Sequence, residues 1–173
     1  MHHLVFSSKA FDKIPVDCAV VTAFSNHIPL TGNAALLDWR LNGRISRLIM
    51  DGRFKGGFQE AMLLPSEGRV KPPLIMVFGL GSSGQFNESL IGTFSSILLE
   101  KLANQKAKSF LISFTDIFED RFEWRNAVRL LVSKLHDFPI IEDVHFCETT
   151  ECIYDVKKRH MDFGMTMDVT FEL

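Results

Sequence analysis

Short apolar runs alternate along the chain with longer segments that have helical spacing. A short apolar run bounded by turn residues is typical of a buried β-strand. Such strands are predicted at 3–7, 17–24, 60–65, 73–79, 109–114 and 140–147. Apolar residues spaced three and four apart predict helices over 31–50, from Asn87 onward, over 121–136 and near 151–161. Interleaved strands and helices predict a three-layer α/β/α fold around a mixed, mostly parallel sheet of six or seven strands.

Several segments give more specific expectations. The continuous apolar run 17–24 is typical of a central strand covered on both faces. Thr31 is a candidate N-cap for the first long helix, and Gly43 within that helix predicts a kink or close packing. Apolar and polar residues alternate strictly over 165–173, which predicts an edge strand with one wet face, interpreted as antiparallel.

The helix at 121–136 has the most regular apolar spacing in the chain. Trp124 and Leu131 belong to its apolar stripe, in which apolar side chains recur every three or four residues. Both side chains are therefore expected on the face of the helix that is turned toward the core.

Composition narrows the classes of protein that fit this pattern. The length of 173 residues and a hydrophobic content of 46% fit one domain, 1–173, with a core of its own. The net charge of −2 gives no general attraction to nucleic acid or to an anionic membrane. Three cysteines do not make a disulfide framework, so a cytoplasmic setting is expected. The 16 Phe residues predict an aromatic-rich core or interface.

Neither a secretory signal nor a membrane span is predicted from the sequence. The first residues lack the basic segment and long apolar run of a signal peptide. No apolar run approaches the ~18 residues that a membrane span needs. His2 and His3 are too few to show whether they are native or belong to an added tag.

Two loop motifs carry a family resemblance. Asp51-Gly-Arg-Phe-Lys-Gly56 is followed by an apolar strand and then by Val77-Phe-Gly-Leu-Gly81. Over residues 17–116 this order resembles the N-terminal domain of the cytosolic leucyl aminopeptidase family. Val144-His-Phe-Cys and the helix after it are similar to the closing strand and helix of macro domains. Because those two folds are related, both resemblances imply a macro-domain-like architecture.

The same resemblance implies that the chemistry of the family is missing. In that family the peptidase site lies in a separate C-terminal domain, marked by an N-T-D-A-E-G-R segment with further Asp and Lys ligands for two metal ions. That segment is absent, and Asp51-Gly-Arg53 does not replace it. The chain is therefore expected to be the accessory half alone, with no catalytic residues, no metal and no cofactor.

A glycine-rich turn is the main candidate ligand site. Gly79-Leu-Gly81-Ser-Ser-Gly84 matches G-x-G-x-x-G between a strand and a helix, where backbone N–H groups suit a phosphate. The acidic residue expected about 20 positions onward is not well placed, because Asp116 lies 32 residues past Gly84. A turn with a purely structural role is the alternative. The candidate ligand-binding residues are Gly79, Gly81, Ser82, Ser83, Gly84, Asn87, Arg53 and Lys55.

The remaining polar patterns have a functional and a structural interpretation. Arg40, Arg44 and Arg47 form a basic stripe that either grips an acidic partner or is a solvated helix face, and the latter is favoured. The set His145, Cys147, Cys152 and His160 fits no standard zinc spacing, so buried or half-buried side chains are expected there. Cys18 on a central strand is interpreted as an inert core thiol.

Three functional hypotheses follow. The first is a non-catalytic binding or assembly module, with self-association as a two-fold dimer. The second is a macro-type binder or hydrolase of a phosphate-bearing ligand such as ADP-ribose, although segments 22–26 and 32–35 match the macro-domain loops only loosely and lack their glycine run. The third is a regulatory partner of a separately encoded aminopeptidase. A nucleotide-dependent shift in melting temperature separates the first two.

Overall fold

A seven-stranded sheet forms the centre of the molecule, seen in a computed structural model that describes residues 1–119, 121–159 and 167–173. The strands are β1 (His3–Ser7), β2 (Cys18–Ala23), β3 (Ala61–Pro65), β4 (Leu74–Gly79), β5 (Ser109–Ile112), β6 (Asp143–Cys147) and β7 (Asp168–Glu172). Their order in the sheet is β3-β4-β2-β5-β6-β1-β7. Every pairing is parallel except that of β3 with β4. The predicted mixed, mostly parallel sheet is thereby confirmed.

Helices cover both faces of this sheet. They are α1 (Gly32–Arg40), α2 (Arg44–Met50), α3 (Ile91–Asn104), α4 (Phe114–Phe118), α5 (Trp124–Val132) and α6 (Thr150–Lys158). Single 3₁₀ turns occur at Phe11–Lys13, Glu88–Leu90 and Leu135–Asp137. Within the described ranges no helix is long and apolar enough to cross a bilayer.

Alternate residues of the central strands supply two separate cores. Val20 and Met76 join the core that α3 to α6 cover, whereas Val21 and Val77 join the one beneath α1 and α2. This alternation follows from the period of two along a strand, and it accounts for the apolar residues at nearly every position of β2 and β4. The prediction of a central strand at 17–24 and of three layers is confirmed.

Phenylalanine supplies much of this interior. Ten Phe side chains are buried, and none of the Phe side chains that the structure describes is exposed. Phe86, Phe94 and Phe114 all have ring contacts with Phe118. Of the two predicted locations, the aromatic-rich core is therefore the one observed.

The first long helix divides in two at Gly43. Asn42 and Gly43 have φ values of +55° and +72°, in the left-handed region. A left-handed residue ends a helix, because its N–H bonds back to the last turn. The N–H of Gly43 donates to the carbonyl of Asp38 in this way. The single helix predicted over 31–50 is wrong, and the predicted kink is a full break.

Two other boundaries differ from those predicted. The strand predicted to reach residue 114 ends at Ile112, because the Ser113 side chain caps α4 by accepting the N–H of Asp116 at 3.2 Å. The helix predicted over 121–136 has regular α-helical geometry only from Trp124 to Val132. Trp124 is half-buried at the margin of the core, whereas Leu131 is fully buried.

The last strand lies at the predicted edge of the sheet but has the opposite direction. β7 pairs with β1 in parallel register, Leu4 opposite Val169 and Phe6 opposite Phe171. The prediction of an antiparallel strand is wrong, because alternation reports one wet face and is insensitive to strand direction. Val169 and Phe171 pack on the core, while Asp168 and Thr170 are exposed.

Candidate functional site

The topology points to one position where a ligand site is expected. Strands β2 and β5 are parallel neighbours. From the carboxyl end of β2 the chain continues toward β3 and β4 on one side, and from the carboxyl end of β5 it continues toward β6 on the other. Such a switch point opens a crevice between diverging loops, and ligands of open α/β sheets bind in these crevices.

A cleft occupies this position. The space within it and at its open mouth together amounts to about 560 Å³. We call it the crevice and define it by its lining residues, which are 22–24, 27, 29–31, 116–119 and 121. Its lining comes from the loop after β2 and from α4 with the turn that follows, so two distant chain segments form it.

Arg121 lies at the mouth of the crevice and connects its loops. Its Nη2 donates to the carbonyl oxygens of Ser83 at 2.5 Å and Phe86 at 3.5 Å. The guanidinium carbon lies 5.3 Å from the centroid of the Phe24 ring and 5.4 Å from that of Phe122, within the range of a cation–π interaction. Arg121 therefore ties the β4–α3 loop to the loop after β2.

Asp116 lies inside the crevice at the N-terminus of α1. Its two carboxylate oxygens accept the backbone N–H of Asn33 at 3.0 and 3.2 Å. Thr31 makes no side-chain capping bond, so the capping role predicted for Thr31 belongs to a residue more than 80 positions away. Burial raises the pKa of Asp116 above its usual value, and the hydrogen bond from Asn33 opposes that shift.

A buried carboxylate behind Asp116 holds the start of α4. Glu148 is 4% exposed and follows β6 directly. Its side chain accepts the N–H groups of Phe114 at 2.7 Å and Thr115 at 3.2 Å, and the hydroxyls of Ser113 and Thr115. Burial raises the pKa of Glu148 to about 7, against the effect of these hydrogen bonds.

Neither carboxylate was singled out as a candidate site residue from the sequence. Asp116 was considered only as a poor match to a nucleotide motif. The signal that both residues share is an acidic side chain a few residues after a buried strand: Glu148 comes directly after β6, and Asp116 comes four residues after Ile112. In parallel sheets such residues collect at one edge.

The backbone of the predicted glycine turn is bonded within the chain. The N–H groups of Gly79, Gly81 and Ser83 donate to the Glu60 carbonyl, the Gly56 carbonyl and the Asn26 side chain at 2.7, 2.8 and 2.9 Å. Ligand binding by this turn, with Ser82 and Gly84, stays a prediction.

The two family motifs contact each other at this turn. A Cβ on Gly79 would lie 2.2 Å from the carbonyl oxygen of Gly57, so only glycine fits there. Gly56 ends the first motif and Gly57 follows it directly, while Gly79 belongs to the second motif. The glycines of the two motifs therefore allow the backbones of two loops to pack closely together.

The other candidate ligand residues are dispersed. Asn87 caps the 3₁₀ turn at 88–90 by accepting the N–H of Ser89 at 3.0 Å. Arg53 is exposed next to the end of α2. Lys55 lines a smaller cleft of about 210 Å³ that shares Phe24 and His27 with the crevice. Of these three residues, only Lys55 therefore lies beside crevice residues. Ligand binding by Asn87, Arg53 and Lys55 also stays a prediction.

The metal-like set does not assemble among the described residues, where no three His, Cys, Asp or Glu side chains could hold a metal ion. His160 lies outside the described residues. Cys147 and Cys152 are half-buried free thiols, and Cys18 is buried in the core, where burial raises its pKa to about 12. A pKa this high keeps the Cys18 thiol protonated, as expected of an inert core residue.

The basic stripe is divided among separate partners. Arg40 forms an ion pair with the buried Asp12 at 2.8 Å, and Arg44 forms one with Glu67 at 3.1 Å. Arg47 donates to the carbonyl of Asn42 at 2.8 Å. These guanidinium groups therefore have structural contacts within the chain.

Comparison with known families agrees with this architecture. A family model for the N-terminal domain of the cytosol aminopeptidase family matches residues 20–138, so the chain belongs to that family. The predicted family resemblance is confirmed. A probable cytosol aminopeptidase of Sulfurihydrogenibium sp. is 24% identical over 106 residues, which cover 61% of this chain and 21% of that protein. The chain spans between 21% and 28% of the length of the curated relatives it matches.

Solved structures show the same fold. The macrodomain of Mycobacterium tuberculosis DarG superposes with a TM-score of 0.69 at 12% identity, covering 84% of this chain and 98% of that one. A variant of tomato leucine aminopeptidase superposes with a TM-score of 0.64 at 16% identity, covering 92% of this chain and 36% of that one. The predicted macro-domain-like α/β fold is confirmed.

Proposed function

We propose that this chain is a non-catalytic binding module that receives its ligand in the crevice. The observation that carries the proposal is the cleft at the switch point between β2 and β5. Phe24 and His27 offer aromatic surface there, with ring centroids 5.1 Å apart. Apolar surface with a few polar groups is typical of small-molecule sites.

The polar groups of the crevice support binding more than catalysis. Asp116 is bonded to the N-terminus of α1, and Arg121 is bonded to two loop carbonyls. Such contacts fix the shape of a site. They do not make a nucleophile with an adjacent base, which covalent catalysis requires.

Two other candidate functions have support from the comparisons. Similarity to macrodomain structures favours a phosphate-bearing ligand such as ADP-ribose. Membership of the aminopeptidase family favours docking to a separately encoded aminopeptidase. A ligand screen and a co-purification assay test both functions.

A ligand screen by thermal shift tests the proposal. Neutral, cationic and phosphate-bearing compounds are scanned for a rise in Tm, which at 100 times Kd corresponds to about 2.7 kcal/mol of added stability. For a compound that binds in the crevice, His27→Ala and Arg121→Ala should reduce the rise. Arg129→Ala, on the exposed face of α5 and outside the crevice lining, is the matched control and should leave it unchanged.

A hit that stabilises all three variants as much as the wild type would place its ligand elsewhere and would refute crevice binding. A screen with no hit, combined with co-purification of an aminopeptidase, would instead favour the docking hypothesis.

The 173-residue chain is also expected to lack metal-dependent aminopeptidase activity. Hydrolysis with two metal ions needs several fixed ligands, and the N-T-D-A-E-G-R segment that supplies them in the family is absent from the sequence. Purified protein is assayed with a leucyl amide in the presence of Mn²⁺ or Zn²⁺, against a buffer blank. Turnover at about 1 s⁻¹ or faster, in the range of ordinary enzymes, would contradict the non-catalytic assignment.

A further inference from the structure

We propose that Asp116 is a specificity-determining residue that keeps phosphate-bearing ligands out of the crevice and leaves it to uncharged or cationic ones. The inference rests on the proposed function, because it concerns the ligand class of the same site. It concerns a residue whose carboxylate lies within the cleft itself.

The carboxylate of Asp116 occupies the place where an anion would be bound most favourably. The start of α1 faces the crevice, since Thr31 lines it and Gly32 begins the helix. A helix N-terminus carries partial positive charge and free N–H donors, which is why phosphates bind there. In this chain both carboxylate oxygens of Asp116 accept the N–H of Asn33.

The fit of Asp116 at this place depends on Gly32. Gly32 has a φ of +56°, and a Cβ on it would lie 2.1 Å from Oδ1 of Asp116. A side chain at position 32 would displace the carboxylate from this position. Glycine therefore leaves the space in which the Asp116 carboxylate reaches the helix start.

Some of the other groups in or beside the crevice that could bind phosphate already have partners within the chain. Arg121 donates to the carbonyls of Ser83 and Phe86. The backbone N–H groups of Gly81 and Ser83 in the neighbouring turn donate to the chain as well. Entering phosphate would have to displace these bonds.

The charges that line the crevice also disfavour the binding of a phosphate. Its described carboxylates are Asp116 and Glu119, against the single guanidinium of Arg121. A phosphate would meet two acidic side chains in a partly enclosed space, where like charges repel more strongly than in bulk water. An uncharged or cationic ligand meets no such repulsion.

The test compares the wild type with Asp116→Ala and Asp116→Asn. Alanine removes the carboxylate and frees the N–H of Asn33. Asparagine keeps an acceptor for that N–H and removes the charge. Kd is measured by calorimetry for ADP-ribose, for inorganic pyrophosphate and for adenosine, which shares the nucleoside of ADP-ribose but carries no phosphate.

We expect Asp116→Ala to bind ADP-ribose and pyrophosphate at least 10-fold more tightly than the wild type, with a smaller gain for Asp116→Asn. The affinity for adenosine should change less than 3-fold, so the ratio of charged to uncharged binding reports specificity and not general loosening. If circular dichroism shows Asp116→Ala unfolded, a gain of at least 3-fold in Asp116→Asn decides the question.

One outcome overturns the inference: a folded variant that binds ADP-ribose and pyrophosphate no more tightly than the wild type. This result differs from failure of the proposed function, in which no compound of any charge class binds to the crevice of the wild type.

Discussion

Glu148 is the residue that links β6 to the crevice. Its carboxylate receives four hydrogen bonds from Ser113, Phe114 and Thr115, and Asp116 is the next residue along α4. A buried acidic group is stable only when its oxygens are satisfied, as they are in this case. Glu148 therefore positions the helix that carries Asp116.

Glu148 should make the stability of the fold depend on pH. Burial raises its pKa from 4.5 to about 7, so between these values the folded protein keeps a proton that the unfolded chain has lost. The unfolded state then binds fewer protons, and the free energy of unfolding falls as pH rises from 4.5 to about 7. For one proton the slope is at most about 1.4 kcal/mol per pH unit.

Urea unfolding at pH 5, 6, 7 and 8 measures this slope in the wild type and in Glu148→Gln, which has no proton to lose. The difference between the two isolates Glu148 from Asp116 and His145, whose pKa values are also shifted. Glu151→Gln, an exposed change on α6, should keep the wild-type slope. Equal slopes in wild type and Glu148→Gln would show that Glu148 stays ionised.

At the scale of elements, the sequence pattern was sufficient to predict those helices and strands that depend on neighbouring residues in the sequence. The periodicity of α5 and the apolar run of β2 identified both elements and their buried faces. The direction of β7 was not predictable, because it depends on β1, whose pairing partners lie more than 100 positions away in sequence. The hydrogen bonds that Glu148 accepts from the start of α4 could not be predicted for the same reason, since they connect residues 33 to 35 positions apart.

The buried face of α5 makes a sharp prediction. Leu131 is fully buried, whereas the adjacent Leu130 is 37% exposed. Leu131→Ala should lower the free energy of unfolding by about 2–5 kcal/mol, because it leaves a cavity in the core. Leu130→Ala changes the same side chain on the other face and should cost about 0.5 kcal/mol. Denaturant melts compare the two variants, and equal losses would show that the helix faces the core differently.

At the scale of the molecule, the sequence predicted the sheet and its layers, whereas the crevice was not among the ligand sites that it predicted. A G-x-G-x-x-G pattern is visible in sequence, whereas the crevice joins residues within 22–31 to 116–119 and 121 and exists only after folding. The family motifs were informative about packing, since Gly79 meets Gly57. Motif recognition therefore identified the fold and gave no indication of the crevice.

We expect two copies of the chain to associate as a dimer through β7. The Phe side chains give no support, since none that the structure describes is exposed. The edge position of β7 does, because an edge strand has backbone groups that pairing with a second copy would satisfy. Light scattering at micromolar concentration should give a mass near twice 19.7 kDa.

A charge on the edge strand should weaken this association. Thr170→Lys adds a cation at an exposed position of β7 and should lower the dimer fraction. Thr93→Lys adds the same charge at an exposed position of α3 and should leave the dimer fraction unchanged. A wild-type mass near 19.7 kDa would remove the dimer from consideration.

The position of β1 in the sheet has a consequence for biosynthesis. His3 pairs with Asp143 on one side and with Asp168 on the other, so β1 separates two strands that are translated long after it. Leu4 and Phe6 are fully buried once the sheet is complete. During synthesis the burial of Leu4 and Phe6 in the sheet is complete only after β6 and β7 have been translated. Strand β1 is therefore a segment for which shielding by a chaperone matters during synthesis.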